Sequence, residues 1–403
     1  MKQMHVVVVG AGPVGVVAAI AAAQKGFKVT LLDAALEVDH NPRAATTHPS
    51  TLDFIDQVGL IDEFVKQGLV ARYFQFWDRD TKSRVAQFDH ELLKDETKFP
   101  FVVQTEQHKL VLMGLKRLDT FTDASYQFGI KVTDLLQHPD HVVLTTEMDG
   151  QTGQIKADYV IGADGGKSTI RKLLNIEFEG YTWPERFIVL TSIHDFEKSM
   201  GCCYRNYFAG SSEWANLFKV TGDDYKGRWR AVFPARTDES DEEALSDASA
   251  KKRIIELEEA CSLESIVHRN IYNVHQRVAQ KFRVGRVMLA GDSSHLNNPI
   301  GGLGLNCGIH DAMELVSSLE DIQKGADDTR LDLYEKRRKT LNVQFIQEQT
   351  IANKKRLEEK DPNARKDRLD ELRKIESDHV LQKQFLMKSS LLLSVINEKN
   401  ITL

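Results

Sequence analysis

Two clusters of glycines at opposite ends of the chain have spacings that could do chemistry. Near the N-terminus, Gly10, Gly12 and Gly15 follow the GxGxxG pattern, with Asp33 some way beyond. Without side chains at these positions, backbone N–H groups can approach a pyrophosphate at a helix N-terminus, and an acid at the later position accepts from ribose hydroxyls. Close to residue 300, the stretch LAGDSSHLNNPIGGLGLNCGIHDA holds Gly291, Asp292 and the PxxGxGxN series Pro299, Gly302, Gly304 and Asn306. One complete phosphate loop makes a second redundant, so the late cluster must meet another demand.

The elements that position these residues are legible. His5 to Val9 is a continuous apolar, β-branched run, as expected of a strand buried on both faces of a parallel sheet. A helix then runs through Ala18 to Lys25 and stops at Gly26, and KVTLLD forms a second strand ending at Asp33. This strand, loop, helix, strand and acid succession predicts an adenine dinucleotide site without separating NAD from FAD. Farther on, HVVLTTEM, the turn residues DGQTG and QIKADYVIGADG predict a hairpin whose second strand ends at Gly162. Asp164, Gly165 and Gly166 follow it, then a helix capped by Ser168 or Thr169 with Arg171 in its first turn. RVMLAGD is a third buried strand, and CGIHDAMELVSSL has apolar residues at helical spacing.

Composition sets the outer bounds. With 403 residues, 41% of them hydrophobic, the chain can bury one large core or split into two or three domains. A net charge of -6 argues against nucleic-acid or anionic-membrane binding that rests on net charge. Cys202, Cys203, Cys261 and Cys307 show no CxxC spacing, which predicts neither a zinc site nor a disulfide framework and fits a cytoplasmic protein. No metal site is expected.

The ordered set GAGPVG, YVIGADGGKSTIR and GRVMLAGDSSHLNNPIGGLGLNCGIHDA resembles the class A flavoprotein monooxygenases, which include para-hydroxybenzoate hydroxylase and phenol hydroxylase. The resemblance spans roughly residues 4 to 330. It implies an α/β fold, with a Rossmann-like FAD-binding domain over residues 1–75, 100–178 and 280–330. An inserted, mainly antiparallel β-sheet substrate domain would take 76–99 and 179–279, and a C-terminal helical region 331–403.

The resemblance also assigns residues. Gly10, Gly12, Gly15 and Asp33 would hold the ADP half of FAD, Arg43 would lie on the flavin side, and Gln104 would contact the ribitol and phosphate region. Asp164 and Gly165 would serve both FAD and nicotinamide nucleotide, while Gly291 and Asp292 would meet the ribitol. Pro299, Gly302, Gly304, Leu305 and Asn306 would form the loop against the flavin ring, with N–H groups at a helix N-terminus stabilising the charge of the reduced ring. The implied reaction uses NAD(P)H as transient electron donor and O2. A flavin C4a-hydroperoxide passes one oxygen to a phenol-like aromatic or heteroaromatic ring, and the other leaves as water. A homodimer is the family-level expectation.

The same fold also carries halogenases, reductases and non-enzymatic FAD-binding proteins; the WxWxIP signature of the halogenases is absent. No second GxGxxG and no redox CxxxxC is present. Between the FAD motifs, YRNYFAGSSEWANLFKV and GRWRAVFPARTDES alternate aromatic and polar residues, as in a sheet with one covered face. Tyr204, Tyr207, Trp214, Trp229 and Phe233 are candidates to line an aromatic pocket, and Arg205 or Arg230 to pair with an acidic substrate. His295 reads as a loop anchor, His48 as structural, and Cys307 as a packing residue. The charged tail beyond Leu315 predicts a surface helical layer with a fresh helix at Pro362. Its final FLMKSSLLLSV is too short to cross a bilayer and is expected to dock on the core or on a second subunit.

Overall fold

The computed structural model describes residues 3–41, 43 and 45–403. Its apolar run His5–Val9 lies inside a six-stranded sheet, with Val6, Val7 and Val8 fully buried. In order, the sheet comprises Arg283–Val284, Val287–Leu289, Tyr159–Gly162, His5–Val9, Lys28–Leu32 and Ala124–Gln127, all parallel except the first pair. Helix Pro13–Gln24 connects two adjacent strands in the βαβ manner and buries every residue from Gly15 to Ala22. The sequence-derived α/β class with a Rossmann-like sheet is therefore the observed one.

An eight-stranded sheet forms the second layer. Long strands Phe178–Ser192 and Ile266–Ala279 pair antiparallel; the short edge strand His295–Leu296 flanks the latter, and the former is followed outward by Arg228–Pro234, Ala215–Val220, Arg205–Ala209, Tyr73–Asp78 and Ser83–Asp89. Only Arg205–Ala209 against Tyr73–Asp78 is parallel among the registered pairs. Both faces of this sheet are covered. Trp229, Ala231 and Phe233 pack beneath helices Asp241–Leu245 and Asp247–Leu257, whereas Phe74, Phe76 and Val232 face the C-terminal helices.

The predicted hairpin differs in detail. Its turn is only Asp149 and Gly150, both at positive φ as a two-residue reversal requires, so Gln151 already pairs with Met148. The run read as one strand divides at Asp158, whose carboxylate accepts from the His5 N–H at 2.7 Å. Gln151–Ala157 stays in a three-stranded sheet, while Tyr159–Gly162 joins the parallel sheet.

Helix Gly304–Gln323 carries a buried carboxylate, Asp311, that ties three segments together. Its oxygens accept from the Gly291 N–H at 3.0 Å and from Arg338 Nε at 2.7 Å, and His295 Nε2 lies 2.7 Å away. Burial raises a carboxyl pKa, yet here His295 and Arg338 outweigh it and hold Asp311 down at about 2. His295 is thus the anchor the sequence suggested. Helix Pro362–Ser377 begins at the expected proline, with Asp361 accepting from the Asn363 and Ala364 N–H groups. FLMKSSLLLSV docks on the chain's own core, where Leu386, Leu391 and Leu392 are buried. No helix among the described residues is long and apolar enough to cross a membrane.

Replacing Asp311 by Asn takes from the buried Arg338 one of its two carboxylates, Glu398 being the other, and from His295 and the Gly291 N–H their charged partner. Unpairing a buried ion costs about 3–5 kcal/mol, so the urea midpoint followed by tryptophan fluorescence should fall sharply in Asp311→Asn. An unchanged midpoint would refute this role.

Candidate functional site

The glycines of the first loop divide into two kinds. A Cβ on Gly15 would stand 1.8 Å from the Gly10 carbonyl oxygen, and one on Gly10, at φ +106°, would lie 2.4 Å from the Ala163 oxygen. These two are close-packing residues. Gly12, which caps helix Pro13–Gln24, faces open space, with nothing within 4 Å of a Cβ. Asp33 sits beside it, accepting from the Ala11 N–H at 2.7 Å and the Ala35 N–H at 2.8 Å, with lone pairs to spare.

The late cluster closes on the same helix. A Cβ on Gly308 would meet Val14 at 2.6 Å and the Gly291 Cα at 3.0 Å, so the two long helices approach through glycine with the Gly291–Asp292 turn between them. Asp292 keeps exposed surface but is crowded by protein atoms, and this desolvation raises its carboxyl pKa against the pull of His295 and Arg43. Arg43 is exposed and pairs with Asp39 at 2.9 Å.

The loop from Pro299 to Gly304 leads into helix Gly304–Gln323. Pro299 is exposed and its carbonyl accepts from the Gly302 N–H at 2.9 Å. Gly302, at φ +69°, lies over Thr46, and Gly304 faces open space. The Gly304, Leu305 and Asn306 N–H groups belong to the first helical turn, which has no intrahelical acceptor for them.

Asn306 uses its side chain on the scaffold. Its Nδ2 donates to the Thr46 carbonyl at 2.8 Å and the Gly302 carbonyl at 2.6 Å, and its Oδ1 accepts from the His48 N–H at 2.8 Å. Only its backbone N–H remains for a ligand. Gln104, fully buried beside Thr46, accepts the Thr46 hydroxyl at 2.8 Å, while its Nε2 has no partner. A buried donor left this way is costly unless an acceptor arrives. The open glycines, the orphaned amide and the unshared helix N-terminus fit an elongated, oxygen-rich cofactor such as FAD.

The middle motif is largely self-satisfied. Asp164 accepts from the Ser168 hydroxyl at 2.5 Å and from the Thr169 and Ile170 N–H groups at 2.6 and 3.1 Å, capping helix Thr169–Leu173. Arg171 donates to the Ser293 and Gly166 carbonyls, both at 2.8 Å, and so braces the turn that carries Asp292. Gly165 is at φ +77° with free space around it.

The aromatic candidates separate by sheet face. Tyr204, Trp229 and Phe233 belong to the far side, beneath the helices spanning 241–257, and cannot line a pocket next to the late loop. Both faces of the sheet are buried, so alternation alone could not say which one meets the cofactor. Trp214 is on the near face but packs edge-on against Phe187 and donates to Glu358 at 3.0 Å. Tyr207 alone of the five lines the cavity there, together with Phe74, Phe76, Arg205, Ile300 and Gly301.

The opposite wall was missed from sequence. Gln349, Asn353, Arg356 and Leu357 of helix Glu348–Glu358, with Phe385 and Ser389 of helix His379–Ser389, complete the lining. The tail is therefore more than a solvated layer. Its signal was the apolar spacing Leu369, Leu372 and Ile375, which packs with Leu357 and Phe385 against the near face.

Arg205 is the buried cation of the cavity. Its Nε and Nη2 donate to the Tyr207 hydroxyl at 3.0 and 2.6 Å, its Nη2 also to the Gly301 carbonyl at 3.1 Å, and its Nη1 has no partner. Arg230 does not reach this space; it donates to the Arg43 carbonyl at 3.1 Å. Two histidines stand near Arg205. His48 Nε2 lies 2.9 Å from the Gly301 carbonyl and His90 Nδ1 2.7 Å from the Arg72 carbonyl. A carbonyl only accepts, so each proton sits on the bonded nitrogen and leaves His48 Nδ1 and His90 Nε2 as bare, buried acceptors. Burial, assisted by Arg205, keeps both neutral; it holds His48 well below the ordinary range and His90 at about 4. Among the described residues, no group of His, Cys, Asp or Glu could hold a metal ion.

The parallel sheet, its open glycines and its unshared helix N-termini define a dinucleotide-binding protein with a cavity beside the late loop. A family model described as FAD binding domain matches residues 3–349. The chain is 30% identical over 391 residues to para-nitrophenol 4-monooxygenase of Pseudomonas sp. (strain WBC-3), covering 95% of this chain and 94% of that protein. It is 30% identical over 370 residues to 6-hydroxy-3-succinoylpyridine 3-monooxygenase HspB of Pseudomonas putida (strain DSM 28022 / S16), covering 90% and 91%. The crystal structure of p-nitrophenol 4-monooxygenase PnpA from Pseudomonas putida DLL-E4 superposes with a TM-score of 0.90 at 29% identity, covering 97% and 99%. The chain belongs to the class A FAD-dependent aromatic monooxygenases.

Two measurements follow. Gly12→Val should fold normally and lose FAD, seen as colourless protein with an unchanged circular dichroism spectrum, whereas Gly15→Ala should lose folding yield; equal behaviour of the two would contradict the division. Unfolded His90 titrates near 6.5 and folded His90 only near 4. The folded chain thus binds fewer protons across that window, and stability falls as pH drops through it. The urea midpoint should decline from pH 6.5 towards 4, less steeply in His90→Gln; parallel curves would reject His90 as a source.

Proposed function

We propose that this monooxygenase hydroxylates a single-ring phenol, bound as its phenolate in the cavity between the eight-stranded sheet and the C-terminal helices. The observation that carries the reading is Arg205, a buried cation with an unpartnered N–H in an aromatic cavity, touching the loop at Gly301. Electron-rich phenolates are the rings most readily attacked by an electrophilic oxygen, and the name of the para-nitrophenol relative supports the same class.

In this proposal the segments of the six-stranded sheet bind FAD and the eight-stranded sheet covers the substrate. Gly10, Gly12 and Gly15 bring the helix N-terminus to the pyrophosphate, and Asp33 takes the ribose hydroxyls. Gln104 and Asp292 serve the ribitol, Arg43 lies on the flavin side, and Asp164 and Gly165 shape the turn between them. The N–H groups of Gly304, Leu305 and Asn306 stabilise negative charge at the ring end, with Pro299 and Gly302 shaping the approach. When bound, FAD supplies reduction by NAD(P)H and activation of O2. Arg205 orients the phenolate. Tyr207 and the phenylalanines keep water from the ring.

The four free thiols suit a reducing cytoplasm, and a homodimer is the assembly we propose, to be checked by sedimentation of the holoenzyme. Purified yellow enzyme should consume NAD(P)H faster with a phenol and place one atom of isotopically labelled O2 in the product; an unlabelled product would refute the reading. Removing one partner of a buried charge pair costs about 2–5 kcal/mol, or about 30- to 4000-fold in affinity. Arg205→Met should raise the phenol Kd within that range while retaining FAD, and an unchanged Kd would remove Arg205 from the site.

A further inference from the structure

The helix that walls the cavity opposite Arg205 is entered through a π-helical segment. Asn342–Gln347 joins helix Thr329–Leu341 to helix Glu348–Glu358 without a break. The first helix buries Leu331, Tyr334, Arg338 and Leu341. Continued at about 3.6 residues per turn, that face would run through Phe345, Gln349, Ala352 and Arg356. The buried residues are instead Ile346, Thr350, Lys354 and Leu357, with Gln349 retained, while Phe345 is half-buried and Ala352 exposed. The wider π turn thus takes up one extra residue, and this insertion is what brings Asn353 and Leu357 into the cavity wall.

The observed register is not the only one these side chains favour. The face that an uninterrupted helix would bury, with Phe345 and Ala352, is at least as apolar as the observed one, which buries Thr350 and an ammonium, Lys354, paired with Glu358 at 2.6 Å. Asn342, at the first π position, is buried with neither amide atom partnered. It therefore holds a donor and an acceptor for backbone groups freed when a turn changes pitch. Both ends of the run are tied down. Before it, Arg338 donates to Asp311 at 2.7 Å and to Glu398 at 3.0 Å; after it, Trp214 Nε1 donates to Glu358 at 3.0 Å. An extra residue between two fixed ends can sit at more than one place, because moving it re-registers only the residues it passes. Asn353 is among these, and its hold on the late loop is a long bond, from Nδ2 to the Ile300 carbonyl at 3.4 Å.

We infer that the π segment is a sliding hinge that parts the C-terminal wall from the late loop and widens the cavity at Ile300–Gly301. With the extra residue at 342–347, Asn353 rests on the loop. Moved towards Glu358, the insertion turns Phe345 and Ala352 inward and swings Asn353 off the Ile300 carbonyl. The widened form is the minor one, since it gives up the Asn353 bond and the packing of Ile346. It admits and releases a ligand while the sheet, helix Gly304–Gln323 and the Arg338 anchor stay in place. The tail thereby controls access, and the sheet and the loop hold the reacting end.

The test is backbone hydrogen exchange in the FAD-loaded full chain, with two variants. Ala352→Glu puts a charge where the observed register is exposed and the alternative is buried, so it spares the first and blocks the second. Deleting the exposed Gln344 removes the extra residue and keeps both anchors; should that chain fail to fold, Ala352→Glu decides alone. Exchange over 345–353 should slow by about tenfold or more, and exchange over 300–303 should slow with it, because one opening exposes both. A slowing of about twofold confined to the helix is what a new i,i+4 charge pair with Arg356 gives, and it would overturn the hinge, as would unchanged or faster exchange. In stopped-flow mixing, phenol should bind and leave about fivefold more slowly in Ala352→Glu at unchanged Kd; unchanged rates would remove the control of access. Slowed exchange with no phenol binding in the natural chain would refute the phenol reading and uphold the hinge.

Discussion

The carboxylate of Asp311 accepts from the Gly291 N–H and from Arg338 and pairs with His295, all within 3.0 Å and all out of water. Through Gly291 it positions the turn bearing Asp292, and through its own helix it places the N-terminus at Gly304. Through Arg338, which also donates to Glu398 at 3.0 Å, it draws in the last helix. The groove and the C-terminal wall are thus registered to one buried charge. Such a network is intolerant of partial loss, because the buried groups left behind lose a charge-assisted partner that water does not replace.

A second, neutral network performs the corresponding task for the late loop. The Asn306 side chain binds Thr46 and Gly302 carbonyls and the His48 N–H, so the loop and segment 46–48 move as one body. Gly302 rests on Thr46, and Thr46 in turn bonds Gln104. The unpartnered amide of Gln104 and the unpartnered nitrogen of His48 are consequently held in place by groups that are themselves satisfied. Preorganisation of this kind lets a site present unpaired polar atoms without collapsing around them.

Much of the cofactor groove was legible because its demands are local. A glycine is required where backbone approaches backbone, as at Gly15 against the Gly10 carbonyl, and the requirement leaves its mark at fixed spacing. The hairpin boundary was less legible. Asp158 looks like any other strand residue until its carboxylate is seen capping the His5 N–H of a different sheet. The pocket was the least legible part. Tyr204 and Tyr207 are similar residues three apart, yet only Tyr207 lines the cavity, and the arginine opposite it lies in a tail read from its charges as solvated.

By itself the amino-acid sequence determined the fold class, the dinucleotide loop with its acid, and the flavin-type ordering of three motifs, because each rests on short-range backbone geometry. Tertiary structure alone decided which sheet face meets the loop, that Asn306 serves the scaffold, and that Arg205 and Arg356 line one cavity. Those outcomes depend on side chains far apart in the chain becoming neighbours in a low-dielectric interior. The charge and hydrogen-bonding requirements that act there have no counterpart along the unfolded sequence.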